Sequence, residues 1–166
     1  MQERPTRPNV VIIGGGFGGL YAAKALSNKA VEVTLIDRKN HHTFQPLLYQ
    51  VALDVLSPGE IASLLRYILR KARNVHTLPS AVAGCDTAAR RVQLSNGAEL
   101  AYDYLIVAAG ARHAYFGHDE WERDAPGLKT IEDAVEIRSR LLLAFETAER
   151  DAYLTGRHAL LTFAII

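Results

Sequence analysis

The chain has 166 residues, 49% of them hydrophobic, and a formal net charge of +1 at pH 7. This length allows one buried core, and the near-neutral charge favours neither nucleic acid nor an acidic molecule as a partner, so we expect no nucleic-acid binding. The chain has no apolar stretch as long as the roughly 20 residues of a membrane span, no secretory signal and only one cysteine, which indicates an intracellular, cytoplasmic protein without an internal disulfide.

The most specific pattern near the N-terminus is a glycine-rich turn between an apolar strand and a helix. Residues 10–13 are apolar, and Gly14, Gly16 and Gly19 follow with the G-x-G-x-x-G spacing of dinucleotide-binding folds. In such a turn the first glycine permits a tight bend, the second lets a pyrophosphate approach, and the third lets the helix pack on the strand. The pattern predicts a pyrophosphate at the positive end of the helix.

A second apolar segment completes this unit. Residues 29–37 are rich in β-branched side chains and end in Asp37, at roughly the 20-residue distance of a carboxylate that accepts hydrogen bonds from ribose hydroxyls. Strand, helix and strand together predict a β-α-β unit that binds a dinucleotide. A glycine-rich turn that binds no nucleotide is the less favoured alternative, and the motif does not separate FAD from NAD.

Two histidines and a capping box come next. His41 and His42 have no cysteine or carboxylate at metal-ligand spacing, so we interpret them as surface or hydrogen-bonded residues.

Ser57 and Glu60 form a capping box, and the apolar residues behind it recur at helical spacing. This pattern predicts a helix from 58 to about 72, with a solvated arginine face.

The middle of the chain has the pattern of several strands. Residues 75–82 predict a short strand with a breaker, and the segments 91–94 and 98–101 predict a hairpin around an Asn-Gly turn. The apolar run 104–111 predicts a strand buried on both faces of a parallel sheet. The small residues at its end leave room for a bulky ligand at the carboxyl edge of the sheet.

The C-terminal part predicts a loop, a helix and a strand. Residues 111–129 predict a loop, and Thr130 and Asp133 form a second capping box before a helix that continues to about Tyr153. The last residues, 157–166, have the pattern of a buried strand. Because no covering helix follows it, we expect this chain to be the front portion of a longer protein; a short edge strand is the alternative.

Three segments carry a resemblance to a known family: GGGFGGLYAAKAL, VTLIDRKNHHTFQPLLYQVA and DYLIVAAGARHAYFGHDEWERDAPGLKTIEDAVEIR. The sequence closely resembles the N-terminal part of type II NADH dehydrogenases, non-pumping flavoprotein NADH:quinone oxidoreductases of the respiratory chain. The resemblance implies an α/β, Rossmann-like fold with a parallel sheet and a β-hairpin or meander insertion, truncated here. Residues 1–130 would be an incomplete FAD-binding domain, and 131–166 a connecting helix and the first strand of a missing NADH-binding domain.

The resemblance also implies which residues hold FAD. They are Gly14, Gly16, Phe17, Gly18 and Gly19 at the pyrophosphate, Asp37 and Arg38 on the adenosine ribose side, Val82 at the adenine through its backbone, Gln45, Pro46 and Leu47 near the flavin, and Ala109 and Gly110 flanking the cofactor.

By the same resemblance, the complete enzyme passes a hydride from NADH to FAD and two electrons to a quinone, with no catalytic side chain or metal assigned in this chain. Its membrane contact, at the cytoplasmic face of the inner membrane, would be peripheral and lie beyond this chain. The segment 46–53 lacks the cysteine pair of disulfide reductases, which favours an acceptor other than a thiol. We expect the chain alone to be inactive, to bind FAD weakly and to self-associate.

Two alternatives stay open from the sequence. One is a free-standing dinucleotide-binding module without catalysis, and the other is an NAD-dependent dehydrogenase that has lost its substrate domain. The segment after Asp37 disfavours the second of these.

Overall fold

The structure, a computed structural model, describes residues 7–150 and 157–165. The chain divides into two compact units. The first unit consists of residues 7–43 and 62–111, and the second consists of residues 44–61 and the described residues from 112 onward. This division differs from the boundary between residues 130 and 131 that the resemblance implies, because segment 44–61 packs with the later residues. The boundary between cofactor domains stays a prediction.

The strands of the described residues are β1 (Asn9–Ile13), β2 (Glu32–Asp37), β3 (His41–Thr43), β4 (Ala62–Leu64), β5 (Val75–Pro79), β6 (Val82–Asp86), β7 (Arg91–Leu94), β8 (Glu99–Ala101) and β9 (Tyr104–Val107). The α-helices are α1 (Phe17–Leu26), α2 (Leu48–Ala52), α3 (Leu65–Ile68), α4 (Ile131–Arg150) and α5 (Arg157–Leu160). Turns of 3-10 helix lie at Gln45–Leu47, Pro58–Glu60 and Asp119–Arg123. None of the helices in the described ranges is both long and apolar enough to cross a membrane.

A four-stranded parallel sheet with the strand order β5-β2-β1-β9 forms the centre of the first unit. In its register, Ile12 of β1 pairs with Leu35 of β2 and with Ile106 of β9. Ile12 and Leu35 are fully or almost fully buried, and Leu20 and Ala23 of α1 pack into the same apolar cluster. The predicted β-α-β unit, and with it the predicted α/β fold with a parallel sheet, is confirmed.

The strand predicted over 104–111 is present as β9 but ends at Val107. Tyr104 and Val107 are 63% and 68% exposed. The prediction that this strand is buried on both faces is wrong, because β9 lies at the edge of the sheet and β1 is its strand neighbour within the described residues. The apolar run identified a strand correctly, but not its place in the sheet.

The single helix predicted from 58 to about 72 is wrong. The capping box of Ser57 and Glu60 forms, with a 2.7 Å hydrogen bond from the Ser57 N–H to the Glu60 carboxylate, but it closes only one 3-10 turn. The backbone hydrogen bond from Ser57 holds the pKa of Glu60 below its ordinary value. The next residues form β4, which pairs with β3, and α3 follows as one turn. Leu65 and Leu69 are still buried, so their spacing reflected burial rather than one helix.

An antiparallel meander, β6-β7-β8, is inserted in the first unit. The hairpin predicted over 91–101 is confirmed: Gly97 has a φ of +84°, and its N–H donates to the Leu94 carbonyl at 3.0 Å. The segment 75–82, predicted as one interrupted strand, instead contains β5 and the start of β6. It is divided because β5 joins the parallel sheet and β6 joins the meander.

The second unit contains α2 and the long helix α4. Leu48, Val51 and Ala134 are buried in one apolar cluster between them. The predicted cap of α4 is confirmed: the Asp133 carboxylate accepts from the Thr130 N–H at 2.8 Å, and the Thr130 hydroxyl accepts from the Asp133 N–H at 3.2 Å. These bonds satisfy backbone donors that the first turn of a helix leaves open.

The strand predicted over 157–166 is wrong for the residues that the structure describes. Arg157–Leu160 form α5, and residues 162–165 have no regular secondary structure. Phe163 is 51% exposed and Ile165 fully exposed. A strand needs a neighbouring strand for its backbone hydrogen bonds, and no described residue of the second unit pairs with this segment. Residue 166 and the predicted end of α4 at 153 lie outside the described residues.

Candidate functional site

The glycine-rich turn joins β1 to α1 at the carboxyl end of the parallel sheet. The Gly14 N–H donates to the Ile36 carbonyl at 2.7 Å, which ties the turn to β2. Gly14 has a φ of +103°, and a Cβ at this position would run into the carbonyl oxygen of Ala108. Only glycine fits here, as the tight bend predicted from the motif requires.

The third glycine of the motif brings α1 close to β1. A Cβ on Gly19 would run into the carbonyl oxygen of Gly14 and would come within 3.2 Å of the Ile12 side chain. The absence of a side chain therefore lets the first turn of α1 lie directly against the glycine turn.

The backbone at Gly16 lies beside open space. A Cβ on Gly16 would meet no atom within 4 Å other than its chain neighbours, and both Gly16 and Gly18 are exposed. The first hydrogen bond of α1 runs from the Leu20 N–H to the Gly16 carbonyl at 2.9 Å, and the first turn contains no acidic residue. The early N–H groups of a helix have no intrahelical acceptor and carry its positive dipole end. The open space at Gly16, the N–H donors and the positive end of the helix therefore lie together, and this arrangement fits a pyrophosphate.

Asp37, at the end of β2, is in direct contact with the turn. Its Oδ2 accepts a hydrogen bond from the Gly15 N–H at 2.5 Å, and its Oδ1 accepts one from the Lys39 N–H at 2.7 Å. The neighbouring Arg38 is exposed. The structure thus brings Asp37 to the glycine turn, while a role of Asp37 and Arg38 at a ribose stays a prediction.

His42 also contacts the turn, and no motif in the sequence predicts this contact. Its Nδ1 lies 3.1 Å from the carbonyl oxygen of Gly15, and its ring meets the Phe17 ring edge-on, with centroids 4.9 Å apart. The sequence indicated only a surface or hydrogen-bonded histidine. The contact with Gly15 depends on the pairing of β3 with β4. The helix predicted over 58–72 excluded that pairing, so the contact could not be predicted.

Three further predicted contacts belong to the first unit. Ala109 and Gly110 follow β9, both exposed, and the Cα of Ala109 lies 3.2 Å from the place where a Cβ on Gly14 would be. The segment after β9 therefore adjoins the turn. Val82 begins β6 and is packed, half-buried, against the apolar cluster that includes Ile36. The roles of these residues at FAD stay predictions.

Gln45, Pro46 and Leu47 form a 3-10 turn in the second unit. The Gln45 side-chain amide donates to the Lys129 carbonyl at 3.2 Å, and Leu47 packs against the apolar cluster of this unit. Gln45 and Pro46 are exposed. Their predicted place near a flavin stays a prediction.

An open cleft of about 800 Å³ in the second unit is a poor site for a nucleotide. Two arginines line this cleft, but more carboxylates do, including those of Asp119, Glu120, Glu122, Asp124, Glu132 and Glu136. Like charges would repel the phosphates of a nucleotide. Among residues 7–150 and 157–165, no cluster of three or more histidine, cysteine or acidic side chains could hold a metal ion.

Comparison with known sequences agrees with the geometry of the turn. The family described as pyridine nucleotide-disulphide oxidoreductase matches residues 8–150. The chain is 51% identical to the type II NADH:quinone oxidoreductase Ndh of Mycobacterium tuberculosis, across 99% of this chain and 36% of that protein. It is 50% identical to NdhA of the same organism, across 96% of this chain and 35% of that protein. The resemblance stated from the sequence is confirmed, and the chain spans about a third of the length of these relatives.

Solved structures show the same fold. NDH2 from Plasmodium falciparum, in complex with NADH, has a TM-score of 0.76 at 27% identity and covers 86% of this chain and 30% of that one. The sulfide:quinone oxidoreductase of Aquifex aeolicus has a TM-score of 0.75 at 27% identity, with 84% of this chain and 32% of that one covered. Both structures match the α/β architecture of this chain.

Proposed function

This chain belongs to the pyridine nucleotide-disulphide oxidoreductase family, and we propose that it is the FAD-binding portion of an NADH:quinone oxidoreductase. The observation that carries the proposal is the open space at Gly16, bounded by the first turn of α1. The relatives at 51% and 50% identity, both named type II NADH:quinone oxidoreductases, support NADH and a quinone as the substrates of a protein of their length.

The turn would hold the pyrophosphate of FAD through backbone N–H groups. Gly14 and Gly19 keep the turn compact, and Gly16, Phe17 and Gly18 present the start of α1 to the ligand. These contacts need no charged side chain, because the helix end itself supplies the positive potential.

The remaining contacts would come from residues around the turn. Asp37 has acceptor capacity left after its two backbone hydrogen bonds, because a carboxylate accepts up to about four, and it can still receive a ribose hydroxyl. The other residues that we place against FAD are Arg38 at the ribose, Val82 at the adenine, Gln45, Pro46 and Leu47 near the flavin, and Ala109 and Gly110 beside the cofactor.

FAD, when bound, supplies a ring that takes a hydride from NADH and gives two electrons to a quinone. The residues of this chain bind and orient it, and we assign none of them to proton transfer. We propose that a protein as long as these relatives contacts the cytoplasmic face of the membrane peripherally and meets its quinone there.

The proposal is tested by FAD binding to the purified chain and to Gly16→Ala. Gly16 has φ −69° and ψ −165°, a conformation open to any residue, so Gly16→Ala should fold with an unchanged melting temperature. Its methyl group would occupy the space that we assign to the pyrophosphate, and we expect FAD and ADP to bind at least roughly tenfold more weakly by titration calorimetry.

Gly59→Ala is the matched control, because a Cβ on Gly59 also meets no atom within 4 Å and Gly59 lies in the second unit. It should bind FAD like the native chain. Native chain that binds no FAD, or Gly16→Ala that binds it with native affinity, would contradict the proposal.

A further inference from the structure

Two side chains from different strands contact the backbone of Gly15. Its N–H donates to the Asp37 carboxylate at 2.5 Å, and its carbonyl oxygen lies 3.1 Å from Nδ1 of His42. A backbone carbonyl can only accept a hydrogen bond, so His42 carries a proton on Nδ1 and donates it. Gly15 is also buried, and a Cβ on it would come within 2.6 Å of the Leu65 side chain.

The hydrogen bond to Gly15 also determines the direction of a neighbouring donor. The carbonyl of Gly15 and the N–H of Gly16 belong to one planar trans peptide unit and point in opposite directions. When His42 holds the carbonyl on its side, the Gly16 N–H points away from His42. Gly16 is the residue that lies beside open space at the start of α1.

His42 is itself held in place by its strand and by a ring contact. In the β3–β4 ladder it pairs with Ser63, and the Leu65 N–H donates to the Asn40 carbonyl at 3.0 Å just beyond the ladder. On its other side the imidazole meets the Phe17 ring at an interplanar angle of 82°. The imidazole is therefore a fixed donor rather than a mobile surface group.

We propose that His42 is a positioning residue of the pyrophosphate site: its Nδ1–H holds the Gly15 carbonyl and thereby aims the Gly16 N–H at the ligand. The identity of the ligand rests on the proposed function, whereas the orientation of the peptide does not. His42 acts through the backbone and has no contact with the ligand in this role.

Two substitutions separate the hydrogen bond from the packing of the ring. His42→Phe keeps a ring against Phe17 but removes the donor, and His42→Asn places an amide N–H₂ near the position of Nδ1. The matched control is His76→Phe, which changes an exposed histidine on β5 of the same unit. Melting temperature is measured for each variant.

The first readout needs no ligand. In ¹H–¹⁵N spectra of the chain, we expect the Gly16 amide resonance to shift in His42→Phe and to return close to its native position in His42→Asn. The second readout is the affinity for ADP, which carries a pyrophosphate without a flavin. We expect His42→Phe to bind ADP roughly fivefold more weakly, and His42→Asn to stay within about twofold of the native chain.

The proposal is overturned if His42→Phe leaves the Gly16 resonance in place, or if His42→Asn folds but fails to restore it. If His42→Phe does not fold, the native chain decides: imidazole ¹⁵N spectra must show the proton on Nδ1, and its absence refutes the proposed hydrogen bond. A native chain that binds neither ADP nor FAD refutes the proposed function, while the Gly16 resonance still tests the role of His42.

Discussion

Replacing Asn74 should destabilise the first unit more than its polar character suggests. Asn74 is only 4% exposed, and its side chain closes the loop between α1 and β2. Its Oδ1 accepts from the Asn28 N–H at 2.9 Å, and its Nδ2 donates to the carbonyls of Leu26 at 3.0 Å, Lys29 at 3.3 Å and Val31 at 3.0 Å. One side chain therefore contacts four backbone groups, and because Nδ2 carries only two hydrogens, the longer contact to Lys29 shares one of them.

The expected loss follows from these contacts. A hydrogen bond contributes about 1 kcal/mol net, and the 3.3 Å bond less, so Asn74→Ala should lower the free energy of unfolding by about 3 kcal/mol. Asn74→Asp should lower it at least as much, because a carboxylate has no hydrogen to donate and would face three carbonyl oxygens. Asn96→Ala is the matched control: Asn96 is exposed and makes one hydrogen bond, to the Ala98 N–H at 3.1 Å.

Urea unfolding followed by circular dichroism measures these differences. We expect the control to lose less than about 1 kcal/mol. If Asn74→Ala is already unfolded in buffer, all chains are compared in a fixed concentration of a stabilising osmolyte, which favours burial without changing contacts. A loss below about 1 kcal/mol for Asn74→Ala, or an Asn74→Asp variant as stable as the native chain, would refute the role given to this side chain.

Two further predictions concern α1 and α4. Gly19→Ala should lower both the melting temperature and the affinity for ADP, because the methyl group would push α1 away from the Gly14 carbonyl; calorimetry measures both. Burial raises the pKa of Asp133, but hydrogen bonds from the Lys129 and Thr130 N–H groups, together with the side chains of Thr130 and His113, outweigh burial and hold the pKa below its ordinary value. A pKa lowered on folding gives stability that is present above the unfolded-state pKa, about 4, and is lost as the pH falls through the folded-state pKa. In urea unfolding between pH 5 and 2, the native chain should therefore lose stability more steeply than Asp133→Asn.

Several elements that the sequence predicted correctly are fixed by neighbouring residues. The bend at Gly14 requires a positive φ, and the Asn96–Gly97 turn closes a hairpin between adjacent strands. The cap of α4 joins residues three positions apart, Thr130 and Asp133. In each case the physical cause lies within a few residues of the element, so a short pattern is sufficient to find it.

The wrong predictions concern pairing between distant parts of the chain. The apolar residues around Ala62–Leu64 recur at helical spacing and predicted a helix. An antiparallel pairing with β3, about twenty residues earlier in the chain, makes Ala62–Leu64 a strand instead. Residues 104–107 have the composition of a central strand, but their place at the sheet edge depends on the order of all four strands. Asn74 likewise has no local motif, because its partners lie more than forty residues earlier.

The same distinction explains why the sequence pointed to Asp37 beside the glycine turn and not to His42. The fingerprint locates Asp37 by its distance from the glycines, but His42 reaches Gly15 only because β3 pairs with β4. Three strands thus hold one turn: β1 leads into it, the end of β2 binds the N–H groups of Gly14 and Gly15, and β3 binds the Gly15 carbonyl. Since Asp37 keeps acceptor capacity beyond its two backbone bonds, holding the turn and binding a ribose are compatible roles of one carboxylate. Two residues of the fingerprint, Gly14 and Asp37, therefore support the turn itself, apart from any ligand that it binds.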